Sequence, residues 1–208
     1  MRAGGRIISR AVIVAVAFNE DASAKFWAWP PDPRRPRFWT EFPRSLADRG
    51  LRGVKLVIAD GHNSLRVAAR RGFNASHQRC RVHWMRNAPA HVPTKQRSAL
   101  AAMLKTIFAQ DTKEESEAPW AVVTKALREK QPTLGVLMDA SRDDVLAYMC
   151  FPREHWTQIA STNPLERVNR EIKRRADVIG IFPNDDAVVR IVGAPMLKTN
   201  DEWAIARR

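Results

Sequence analysis

Cysteine is scarce in this chain: Cys80 and Cys150 are the only two among 208 residues. Two are too few for a disulfide framework, and a reducing cytoplasm is the expected compartment. No apolar run approaches the length needed to span a membrane. Internal repeats and flexible linkers are missing too. Acidic residues are outnumbered, with 22 Asp and Glu against 35 Lys and Arg, and the formal charge is +13. That imbalance implies a polyanionic partner, nucleic acid above all. The cations are not evenly spread. They gather at 66–86 (Arg66, Arg70, Arg71, Arg79, Arg81, Arg86) and at 166–175. With 45% hydrophobic residues, the chain can bury a real core as one domain, or one domain carrying a sizeable insertion.

The N-terminus has two readings. Basic residues to Arg10, apolar ones from Ala11 to Phe18 and then Ala22-Ser23-Ala24 sketch a secretory signal. The apolar run is only eight residues long, and Asn19-Glu20-Asp21 puts charge before the cut. A buried strand over Arg6–Phe18 explains the segment better. Ala3-Gly4-Gly5 is a turn signal with only two residues before it, so a preceding strand is expected to be missing. Residues 22–37 crowd Trp27 and Trp29 with four prolines and three arginines. The prolines argue for an exposed loop over a helix or central strand.

Further along, Phe38–Arg49 has a helical pattern that Pro43 would strain outside the first turn. Val54–Ala59 is a short apolar strand ending at Asp60. A helix follows, capped by Asn63 or Ser64, with Leu65, Ala68 and Ala69 inward. Strand–helix–strand order implies an α/β sheet. From Thr94 the spacing turns helical. Leu100, Met103, Leu104, Ile107 and Phe108 predict one amphipathic helix. Trp120, Val123 and Leu127 predict a second, Leu134, Leu137 and Met138 a third, and Val145, Leu146 and Met149 a fourth.

The chemistry concentrates in a few places. Over Ser161–Arg175, Asn163 can cap a helix, Pro164 suits its first position and Glu166 its first turn. Leu165, Val168 and Ile172 share a face, leaving Arg167, Arg170, Lys173, Arg174 and Arg175 for an anion. A carboxylate ringed by cations suits a metal site that cuts phosphodiesters; a capping box accounts for Asn163 and Glu166 equally. Asp60, at a strand's carboxyl end, can hold a divalent metal or simply start a turn through Gly61. Cys80 and His83 have C-x-x-H spacing but no second ligand pair for zinc, which favours a structural or positioning role. On a strand they would point to opposite faces. Arg86 can reach a phosphate, and Trp84 can stack on a base or pack in the core.

Gly53–His62, Gln78–Asn87 and Ser161–Arg175 resemble the mutator-type transposases of bacterial insertion sequences, and Ile179–Asn184 and Asn200–Trp203 extend the resemblance. It covers Arg6–Asp21 and Phe38–Arg208. The resemblance implies an α/β, RNase H-like catalytic core with an all-helical insertion, divided as 1–92, 93–158 and 159–208. It implies three acidic metal ligands, of which Asp60 matches the second and Glu166 the third. Mg²⁺ or Mn²⁺ in a two-metal mechanism of DNA strand cleavage and transfer is the implied cofactor. DNA contacts are expected at Arg86, Asn169, Arg170, Lys173 and Arg174, with Cys80 and His83 in a positioning role. A homo-oligomer in the bacterial cytoplasm, on the nucleoid, with no membrane partner, completes the expectation. The family's first acid and first strand would precede Ala3, so little or no strand transfer is expected of these 208 residues. A non-catalytic DNA-binding or subunit-interaction fragment is the alternative. Residues 22–37 depart from the family and are expected to be a local out-of-frame reading.

Overall fold

The computed structural model describes residues 2–3, 6–7, 12–18, 24–29 and 38–205. The elements run β1 (Arg2–Ala3), β2 (Arg6–Ile7), β3 (Ile13–Phe18), β4 (Ala24–Trp29), α1 (Phe38–Asp48), β5 (Leu56–Ala59), α2 (Asn63–Phe73), β6 (Ser76–Arg79), α3 (Arg81–Asn87), α4 (Thr94–Ile107), α5 (Lys113–Lys130), α6 (Pro132–Val145), α7 (Trp156–Ile159), α8 (Asn163–Ile179) and α9 (Asp185–Ile205). The described chain is mixed α/β and mostly helical. It divides into two compact units, residues 1–52 with 163–208 and residues 53–162.

The first unit is built from both ends of the chain. β3 and β4 pair antiparallel, from Ile13 opposite Trp29 to Phe18 opposite Ala24. This corrects the expectation of a loop over 22–37: a strand forms first and ends at Trp29, immediately before Pro30 and Pro31. The prolines, which cannot donate to a ladder, therefore lie outside it. The rest of the segment, residues 30–37, lies outside the described residues. β1 pairs antiparallel with β2, so the turn signal between them does have a short partner strand. The single strand expected over Arg6–Phe18 is described in two pieces, Arg6–Ile7 and Ile13–Phe18.

In α1, Pro43 is the sixth residue, beyond the first turn, and is buried with Phe38, Phe42 and Leu46. The helix tolerates the lost hydrogen bond because aromatic packing holds its start. Phe38 stacks on Phe42 at 5.5 Å and meets Trp39 edge-on at 4.9 Å. α8 and α9 bury Val168, Val192 and Met196 together, with Val14 of β3 and Ile172 packed against them. The face expected on α8 is thus the buried one.

The second unit opens with two parallel strands, β5 and β6, in register from Leu56 opposite Ser76 to Ala59 opposite Arg79. They are joined through α2. Ala68 and Ala69 of α2 are buried and Leu65 is half-buried, as the spacing predicts. The cap differs: His62 precedes the helix, and its side chain does not cap it. α2 ends at Asn74 in the left-handed conformation, φ 51°, where Asn is among the better-tolerated residues.

Three amphipathic helices follow at the predicted places. α5 starts on a reciprocal cap: Thr112 Oγ1 accepts from Glu115 N at 3.1 Å, and Glu115 Oε2 accepts from Asp111 N at 3.2 Å. α6 begins with Pro132, which needs no N–H there. The predicted fourth helix does not form. Val145 closes α6, and Ala147–Cys150 is a single 3₁₀ turn.

Trp84 anchors this unit. It is fully buried, stacks on Trp120 at 5.4 Å and donates from Nε1 to Ser141 Oγ at 2.9 Å. Core packing, not base stacking, is its role. No described helix is long and apolar enough to cross a membrane.

Candidate functional site

Asp60 follows the last residue of β5 and is exposed. Its Oδ1 accepts from Gly61 N at 2.7 Å, and its carbonyl accepts from His62 N at 2.6 Å. The turn expected at Asp60–Gly61 forms, and it uses only one carboxylate oxygen. A carboxylate oxygen is the hard donor Mg²⁺ and Mn²⁺ prefer, and Asp60 is exposed. Opposite, the guanidinium of Arg79 lies over Gly61. A Cβ on that glycine would come within 2.9 Å of Arg79 Cζ, Nε and Nη2. Among the described residues no group of three His, Cys, Asp or Glu converges as a metal site.

Cys80 and His83 lie at the start of α3 rather than on a strand, because β6 stops at Arg79. Helical spacing puts them on one side, and both meet Thr162. Cys80 Sγ accepts from Thr162 N and from Thr162 Oγ1, each at 3.3 Å, and His83 Nδ1 lies 3.4 Å from the same hydroxyl. Cys80 is fully buried. These contacts fasten the residue just before α8.

The arginines of 66–86 sort by environment. Arg66 pairs with Asp144 at 3.3 Å. Arg81 lies over the Phe108 and Tyr148 rings, 5.4 and 5.5 Å from their centroids, and its Nη1 is 3.3 Å from the Tyr148 hydroxyl. Burial pushes that hydroxyl above its ordinary value, with Arg81 opposing. Arg70, Arg71 and Arg86 are exposed.

On α8, Glu166 is half-buried and Asn169, Arg170 and Lys173 are exposed. Glu166, Asn169, Arg170 and Lys173 share one stripe by their three-, four- and seven-residue spacings. Arg174 and Arg175 do not join it. Arg174 donates to Glu171 through Nε at 3.0 Å and Nη2 at 2.9 Å, and Arg175 Nε donates to it at 2.9 Å. Hydrogen bonds from Arg174 and then Arg175 pull the Glu171 carboxyl down to about 2. Asp60 belongs to the second unit and Glu166 to the first.

Sequence reasoning gave no individual role to Thr162 or Glu171, and counted Arg79 only among the gathered cations. A signal existed for Glu171, which stands three and four residues before Arg174 and Arg175.

The profile of the Mutator-family transposases matches residues 1–206. The chain belongs to that family. The transposase for insertion sequence element IS1081 of Mycobacterium tuberculosis is 40% identical over 171 residues, 82% of this chain and 41% of that protein. The transposase for insertion sequence element ISRM5 of Rhizobium meliloti is 33% identical over 210 residues, all of this chain and 53% of that one. The transposase for IS256 in transposon Tn4001 of Staphylococcus aureus is 31% identical over 212 residues, all of this chain and 54% of its own. This Mutator-family chain thus spans about half the length of the curated relatives it matches. The match also runs through residues 22–37, which the sequence resemblance had set apart.

Proposed function

We propose that this Mutator-family chain serves DNA transposition of a bacterial insertion sequence by metal-dependent cleavage and transfer of DNA strands. The observation that carries the reading is Asp60: an exposed carboxylate just past the carboxyl end of a parallel strand, with a turn fixing Oδ1. The fold in this reading is an RNase H-like core formed by residues 1–92 and 159–208, with 93–158 inserted. The parallel β5–β6 pair joined through α2 supports it.

Asp60 and Glu166 are the carboxylates that would hold Mg²⁺ or Mn²⁺. When bound, the metal supplies charge stabilisation to the attacking and leaving oxygens of the phosphodiester. The protein's own residues do the rest. Arg170 and Lys173 hold backbone phosphates beside Glu166, and Asn169 donates a hydrogen bond there. Arg86 adds a phosphate contact from α3. Arg174 serves once released from Glu171. Cys80 and His83 position Thr162 and thereby the start of α8. The working form is a homo-oligomer on DNA in the cytoplasm.

The test is a cleavage assay with Mg²⁺ and duplex DNA carrying the element's end sequence. Cutting by the parent, weak at most in these 208 residues, is expected to fall to background in Asp60→Ala and in Glu166→Ala, with DNA binding retained. Cutting that survives both substitutions overturns the assignment. A second reading is a DNA-binding or subunit-interaction chain that does not cut. Salt-dependent DNA binding with no metal-dependent cleavage supports that one.

A further inference from the structure

Arg79 ends β6 directly across from Ala59, so its backbone stands beside the residue preceding Asp60. Its guanidinium lies on Gly61, where only a glycine leaves room for it. Its Nε is buried and has no hydrogen-bond partner. Among the described residues, Arg79 forms no ion pair, although Asp60 is one residue from the glycine it covers. This sets it apart from Arg66 and Arg81 of the same basic stretch, which are engaged by Asp144 and by Tyr148. With Nε buried and no ion pair among the described residues, the Nη1 and Nη2 groups are what Arg79 can offer to another anion. Arg is suited to phosphate through that planar fork.

We propose that Arg79 is a DNA phosphate-binding residue, holding a backbone phosphate next to Asp60, with Gly61 as the platform that orients it. The assignment rests on the reading of the chain as a DNA-processing protein and adds a contact to it. It accounts for the seat of the guanidinium over Gly61, where an added Cβ would come within 2.9 Å of it. A substituent at position 61 would push the guanidinium off its seat. The purpose of Gly61 is then clearance, and left-handed backbone is not needed to explain it.

The experiment is DNA binding by the 208-residue chain in EDTA, titrated against salt with a short duplex. Parent, Arg79→Gln, Arg79→Lys and Gly61→Ala are compared, with thermal melts on each. Arg79→Gln is expected to bind roughly tenfold more weakly at low salt, with the log–log salt slope reduced by about 0.9, one phosphate's worth. Arg79→Lys should keep the parent slope, and Gly61→Ala should fall between. If Arg79→Gln lowers the melting temperature but leaves the slope unchanged, Arg79 is structural and the proposal fails while the transposition reading stands. An unchanged affinity and slope in Arg79→Gln has the same consequence. If the parent chain binds no DNA, both fall together.

Discussion

Replacing Gln78 by alanine removes three hydrogen bonds from the interior at once. Its Nε2 donates to Val145 O at 2.9 Å and to Arg79 O at 2.6 Å, and its Oε1 accepts from Tyr148 N at 2.7 Å. The side chain is fully buried, so the groups it leaves behind find no water. Gln78→Ala is expected to lower unfolding free energy by about 2–4 kcal/mol, measured by urea denaturation. A stability within about 0.5 kcal/mol of the parent would show that water satisfies those groups instead. Asp144 gives a pH prediction. Burial alone would raise its carboxyl, but His77, with Nδ1 3.5 Å from Asp144 Oδ1, and then Arg66 override that and hold it below its ordinary value. A depressed carboxyl stabilises the fold above the unfolded value and loses that contribution as pH falls through the folded one. The parent should therefore exceed Asp144→Asn by about 1 kcal/mol at neutral pH, and the gap should close below about pH 4. A gap that is the same at pH 3 and pH 7 contradicts the assignment.

Helix α8 carries its cations in two states. Arg170 and Lys173 stand on the Glu166 stripe, whereas Arg174 and Arg175 are engaged by Glu171. Because hydrogen bonds from both arginines hold the Glu171 carboxyl near 2, it stays ionised at any working pH. Glu171→Gln should release both arginines and tighten DNA binding, steepening the salt slope by about one to two units at roughly 0.9 per phosphate. An unchanged slope would mean that neither arginine reaches DNA. Elements with a strong local period were legible in the sequence: α4, α5 and α6 fall where the apolar spacing puts them, and so does the buried face of α8. The turn at Ala147–Cys150 was not. Val145, Leu146 and Met149 have helical spacing, but the Tyr148 N–H goes to Gln78, seventy residues upstream, which no local pattern reveals. The same limit applied at Cys80. Its side relative to His83 depends on β6 stopping at Arg79, and the partner that brings the two together is the distant Thr162. β4 was hidden for another reason: its apolar strand is followed at once by prolines, and their composition dominated the window.

For the whole molecule, a formal charge of +13 pointed to a polyanion, but it did not say where the charge acts. Arg66 and Arg128 are paired with Asp144 and Asp139, and Arg153 with Asp111. Arg70, Arg71, Arg86, Arg170 and Lys173 are exposed. Of the proposed metal-binding pair, the sequence singled out both Asp60 and Glu166 by their positions at a strand end and a helix start. It could count Arg79 among the clustered cations but not place it across from Ala59, which depends on strand register. The division of the chain has its own consequence. One unit is continuous, residues 53–162, and the other needs residues 1–52 together with 163–208. On a ribosome, the middle unit emerges whole while the first 52 residues still lack α8 and α9, and domains fold as units during synthesis. Until α8 and α9 emerge, Val14 of β3 lacks the side chains that cover it, and that interval is when nascent chains of this protein are most exposed to chaperones and to one another.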